Sequence, residues 1–149
     1  MRTPASIAKH PIHPMLVVFP IGLWIFSLIC SLIGLNVATP DVWFTVAFFT
    51  VVGGLIGALA AAVPGLIDLL YYKGGAPPVK TIALTHMAIN LTVVVLYAVN
   101  IWMRTDAQES MKVPVILSCF GVCRIAGSGA HGAPLAHSAG VGSAGRSQQ

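Results

Sequence analysis

Charge is what this chain has least of. Four acidic side chains and eight lysines and arginines are spread over 149 residues, against a hydrophobic share of 56%. A soluble domain of this size could not expose that balance without aggregating, so the chain is expected in a lipid bilayer. Cysteine is scarce as well: Cys30, Cys119 and Cys123 give no disulfide framework. Nothing resembles a nucleophile with its base, a glycine-rich phosphate loop or a zinc-protease helix, so a non-enzymatic role is expected. The bilayer is the expected partner, with a homo-oligomer as a further expectation; nucleic acid is not expected.

What the chain does have is long uncharged runs. Met15 to Asn36, Val42 to Ile67 and Thr81 to Met103 each reach the roughly 20 residues that cross a hydrocarbon core of about 30 Å. A fourth apolar segment, Val113 to Cys123, is interrupted by Arg124 at about half the length of a span. The expected fold class is therefore all-α, a polytopic transmembrane helix bundle with three clear spans plus a fourth short or truncated one. Its expected divisions are a cytoplasmic amino-terminal segment over 1–14, a transmembrane helical domain over 15–125, and a tail rich in Gly, Ala and Ser over 126–149, read as disordered. A secretory signal is the other reading of the first run, with Arg2 and Lys9 as its basic flank. The run is longer than an apolar core of ~7 to 15 residues and lacks an Ala-x-Ala-like exit, which favours a retained helix. Pro14 suits a first helical turn with His13 at the cap, and Pro20 predicts a kink.

Orientation follows from the basic residues near the span ends. Arg2, Lys9, Lys73 and Lys80 fall on one face, and Arg104 and Lys112 on the other beside Asp41, Asp106 and Glu109. The excess predicts that the first face, with the amino terminus, is cytoplasmic.

On that face gather the ionisable residues that a membrane segment carries only at a cost: His10 and His13 before the first run, Asp68 at the end of the second, His86 inside the third. In His10-Pro11-Ile12-His13-Pro14 two imidazoles three residues apart are each followed by a ring that fixes the backbone, an arrangement able to aim ligands as well as to start a helix. Asn90 stands one turn beyond His86. Neutral imidazoles bind haem iron and transition metals, so His10, His13 and His86 are the candidate ligands for haem b or a metal, with Asp68 and Asn90 as orienting groups. The plainer readings are an interfacial Asp68 near Tyr71 and Tyr72, and a His86 satisfied by a neighbouring helix. Cys119 and Cys123, four apart on one helix face, are read as small packing residues before a metal pair, and Asn90 and Asn100 as interhelical hydrogen-bonding groups.

The second run carries Gly53, Gly57, Ala61 and Gly65 at successive i+4 positions, with Gly54, Ala58 and Ala62 on the adjoining stripe. This nearly bare face predicts close approach of another helix of the same chain. Pro64 and Gly65 loosen the helix just before Asp68.

Three separated motifs occur in order: His-Pro-Ile-His-Pro running into an apolar helix, the stretch Gly53 to Asp68, and Thr-His-Met-Ala-Ile-Asn over Thr85 to Asn90. Over about residues 8 to 122 the chain resembles the bacterial membrane proteins grouped as domain of unknown function 2231. The resemblance implies a four-helix inner-membrane protein and no established activity. It places His10, Pro11, His13, Pro14, Pro64, Gly65, Asp68, His86 and Asn90 on the family's pattern. The carboxyl end departs from that pattern, whose fourth helix continues through a Gly-Trp-Leu-Gly-Gly-like stretch. Codons for Ile125 to Ala130 read from their third base can encode Ser-Trp-Leu-Gly-Gly, which predicts a frameshift and leaves His131 and His137 without meaning. Resequencing tests this, and the lack of a family-like continuation in the other frames contradicts it.

Three function classes stand open: a haem or metal binding or electron-transfer module, a proton-linked or small-solute transporter acting as an oligomer, and a structural or assembly protein.

Overall fold

The computed structural model describes the backbone of residues 6–7, 10–71, 77–105 and 110–138, and side chains over 12–67, 69–70, 81–105 and 110–127. Among the described residues four helices make the fold: α1 Ile12–Gly34, α2 Asp41–Tyr71, α3 Pro77–Thr105 and α4 Lys112–Ser138. A two-residue antiparallel pair, Ser6–Ile7 with His10–Pro11, precedes them. Among the described residues three stretches are long and apolar enough to cross a membrane: Ile12–Gly34, Asp41–Ile67 and Thr81–Thr105.

The helix ends follow local chemistry. α1 starts at Ile12, so Pro14 lies in its first turn as expected, and His13 sits inside that turn instead of at the cap. The first backbone N–H groups of a helix have no intrahelical partner, which is why proline is tolerated there. At the other end the Asn36 side-chain amide donates to the Leu32 carbonyl at 2.8 Å and closes α1. Asp41 opens α2 at the positive end of its dipole. Thr50 and Thr92 return their hydroxyls to carbonyls one turn back, Val46 and Ala88, which satisfies them without water.

α1 packs along α2, and α3 along α4, with lesser contacts closing the ring between α2 and α3 and between α1 and α4. Trp24, Val51, Val93 and Tyr97 form the central apolar cluster. Large apolar side chains such as Phe19, Phe49, Leu91 and Ile116 face outward, while Ser27, Ser31, Asn100, Arg104 and Ser118 are buried. Polar inside and apolar outside is the arrangement a bilayer selects, because lipid offers no hydrogen bonds.

Among the described residues the fourth helix is not one of the stretches long and apolar enough to span, as expected of a short fourth segment. It runs on to Ser138, into the stretch whose composition suggested a tail, and residues 139–149 lie outside the described residues. Glycine and alanine lack bulky faces but still close the i to i−4 ladder, so a helical backbone can continue through such a composition.

Candidate functional site

Two motifs far apart in sequence meet where α1 begins. Because α2 runs antiparallel to α1, its final turns come level with His13. The His13 Nδ1 donates to the Ala61 carbonyl at 2.7 Å. A carbonyl oxygen only accepts, so the neutral ring carries its proton on Nδ1 and Nε2 keeps its lone pair. The ring lies on bare backbone: a Cβ at Gly65 would stand 2.8 Å from Nδ1 and 3.0 Å from Cε1. Pro64 supplies no N–H at this turn and loosens the ladder beside the accepting carbonyl.

The rest of the small-residue stripe continues the contact. A Cβ at Gly57 would lie 2.9 Å from the Phe19 ring, and one at Gly53 3.2 Å from Leu23 Cδ1. Gly54 sits directly under the Trp24 indole, whose Nε1 donates to the Val51 carbonyl at 3.3 Å. One turn on, the Ser27 hydroxyl donates to the Ala47 carbonyl at 2.6 Å. Gly53, Gly57, Ala61 and Gly65 are thus the face on which α1 rests.

A second polar cluster lies toward the opposite end. Arg104 is only 7% exposed. Its Nε donates to Asn100 Oδ1 at 2.7 Å and its Nη2 to Ser31 Oγ at 3.0 Å, while Nη1 is buried without a partner. The Asn100 amide donates to the Pro114 carbonyl at 2.6 Å and to Ser118 Oγ at 3.1 Å, so Asn100 does join two helices. The Tyr97 hydroxyl donates to the Ser118 carbonyl at 3.4 Å. Beside Arg104 an open cleft of about 330 Å³ is lined by Asp41, Phe44, Thr45 and Phe48 of α2 and by Met111. Arg104, counted among flanking charges, is an interior residue.

The other candidates fall unevenly. His86 and Asn90 are half-buried on α3, one turn apart. The side chains of His10, Asp68, His131 and His137 lie outside the described residues, and an approach of Asp68 to His86 with them. Cys30 is buried and packs, but Cys119 and Cys123 are exposed on the outer face of α4, which corrects their reading as packing residues. Among the described residues no three of His, Cys, Asp and Glu converge as a metal would require. Trp24, Ser27, Ser31, Tyr97, Arg104 and Ser118 were not singled out by the sequence. The available signal was the recurrence of hydrogen-bonding side chains at i+3, i+4 and i+7 within two spans, Trp24-Ser27-Ser31 and Tyr97-Asn100-Arg104.

No curated protein and no solved structure matches the chain. A family model described as "Predicted membrane protein (DUF2231)" matches residues 9–145, which reaches past residue 122 into the small-residue segment. The match covers the helices and both meeting motifs, and the chain belongs to this family of predicted membrane proteins.

Proposed function

We propose that the chain is a non-enzymatic binding module of the bacterial inner membrane, with its amino terminus in the cytoplasm, holding haem b or a transition metal through histidine where α1 begins. The bond from His13 Nδ1 to the Ala61 carbonyl carries this reading. A backbone carbonyl on one ring nitrogen is the usual way a protein fixes the tautomer and aims the other nitrogen at a metal. Haem fits the available donors better than a bare ion. Its porphyrin supplies four equatorial nitrogens, so two axial imidazoles suffice where a zinc site needs three or four protein ligands. One of His10 and His86 is the second axial ligand in this account, and Asp68 and Asn90 are the groups that orient the imidazoles.

The basic excess of Arg2, Lys9, Lys73 and Lys80 supports the cytoplasmic placement, and it widens once Arg104 is counted as interior. The buried Arg104, Asn100, Ser31 and Ser118 cluster favours a second reading, proton-linked or small-solute transport by an oligomer, since intramembrane charges often mark such paths.

Absorption spectra of the protein purified in mild detergent, oxidised and dithionite-reduced, together with its metal content, test the proposal. The expected result is a Soret band that shifts on reduction, or a stoichiometric metal, in the unaltered chain and not in His13→Ala. A colourless, metal-free protein expressed with ample haem and metal overturns it.

A further inference from the structure

The hydrogen bonds that tie α1 to α2 recur between α3 and α4. Trp24 donates to the Val51 carbonyl and Tyr97 to that of Ser118. Ser27 donates to the Ala47 carbonyl and Asn100 to that of Pro114. Trp24 covers Gly54 as Tyr97 covers Gly121, where a Cβ would meet the phenol ring at 2.8 Å. The donors are separated by one constant step along the sequence, 73 positions, the same that separates Ser31 from its partner Arg104. The acceptors are separated by a second constant step, from Val51 to Ser118, from Ala47 to Pro114 and from Gly54 to Gly121. At the centre the equivalent rings of Trp24 and Tyr97 stack on each other. Equal steps and matching hydrogen bonds in α1–α2 and α3–α4 describe two copies of one helical hairpin about a two-fold axis along the bundle, the parallel repeat known in membrane bundles.

The step that takes Trp24 to Tyr97 takes His13 to His86. Each histidine lies about three turns, or about 16 Å, before its ring, and therefore on nearly the same helix face and at the same depth. The acceptor step takes Ala61, which holds His13, to Ser128 on the helical backbone of α4.

We infer that His13 and His86 are the same position in two copies of one hairpin, and that they form a paired imidazole site for a single metalloporphyrin centred on the two-fold axis. The inference rests on the reading of His13 as a ligand and goes further, by assigning the second ligand and the symmetry of the group between them. A metal on a two-fold axis receives equivalent donors from both sides, which is the axial arrangement of a six-coordinate bis-imidazole iron. His10 has no part in such a pair.

Titration of the full chain in detergent with hemin, read by optical and electron paramagnetic resonance spectra, tests this. The unaltered chain and His10→Ala are expected to give a low-spin, six-coordinate signal at one hemin per chain. His13→Gly and His86→Gly are each expected to lose that signal, and added imidazole to restore it in both, which a misfolded chain would not allow. Loss in only one glycine variant, failure of rescue in either, or loss in His10→Ala overturns the pair and leaves histidine ligation standing. Failure of the unaltered chain to bind hemin overturns the porphyrin site, and the metal content of the purified protein then decides separately whether histidine ligation stands.

Discussion

Trp24 of α1 and Tyr97 of α3 stack face to face across the bundle, ring centroids 4.1 Å apart and planes 8° from parallel. Each also donates to a backbone carbonyl of the helix that follows its own, so one aromatic pair fixes the register of all four helices. Such rings supply large buried area together with a polar tip that must find a partner.

Tyr97→Phe keeps the ring and removes the hydroxyl, so its expected cost is about 0.6 kcal/mol, the average for a hydrogen bond within a membrane bundle. Tyr97→Ala empties the centre of the core and is expected to cost about 3–5 kcal/mol. Unfolding titrations in mixed micelles check both, and equal effects of the two substitutions would contradict the stacking role.

The contact of α1 with α2 depends on missing side chains. Gly54→Ala drives a methyl into the Trp24 indole and Gly57→Ala one into the Phe19 ring, each expected to destabilise by about 1–3 kcal/mol. Gly22→Ala meets nothing within 4 Å and is expected to gain up to about 1 kcal/mol from helix propensity. Thermal melts of the three variants provide the comparison, and a destabilised Gly22→Ala would count against this packing.

At the buried cation the order of two substitutions is informative. Arg104→Met removes the charge and leaves Asn100 bonded to Pro114 and Ser118. Asn100→Leu strips the guanidinium of one acceptor and leaves the charge buried, the costlier change. Asn100→Leu is therefore expected to destabilise more, and the double variant to show a coupling of about 0.5–3 kcal/mol in a mutant cycle. Additive effects would separate the two residues.

Much of the fold is written locally. The three spans need only uncharged length, and the stripe from Gly53 to Gly65 needs only i+4 spacing. Arg104 was not legible, because a cation at the end of an apolar run reads as a flanking, snorkelling residue until its neighbours are known. Nor was the partner of His13, since no local rule joins it to the carbonyl of Ala61. The correspondence of Trp24-Ser27-Ser31 with Tyr97-Asn100-Arg104 hides from sequence comparison: position and hydrogen bonding are kept while all three residue types differ. How far α4 runs was not legible, because glycine and alanine carry no apolar periodicity on which to judge it.

Gly65 positions the His13 ring without offering a donor of its own. Gly65→Ala places a methyl against Nδ1 and Cε1 of His13 and is expected to lower haem or metal occupancy well before it alters helix content. Occupancy by pyridine haemochrome or elemental analysis, read beside circular dichroism, checks this. Parallel loss of both signals would assign Gly65 to packing alone.

The most direct measurement is the X-ray absorption spectrum at the metal edge of the purified full chain. The account predicts imidazole multiple scattering with nitrogen at about 2.0 Å, and its weakening in His13→Ala. A metal with only oxygen or sulfur in its first shell, or no bound metal at all, would contradict it.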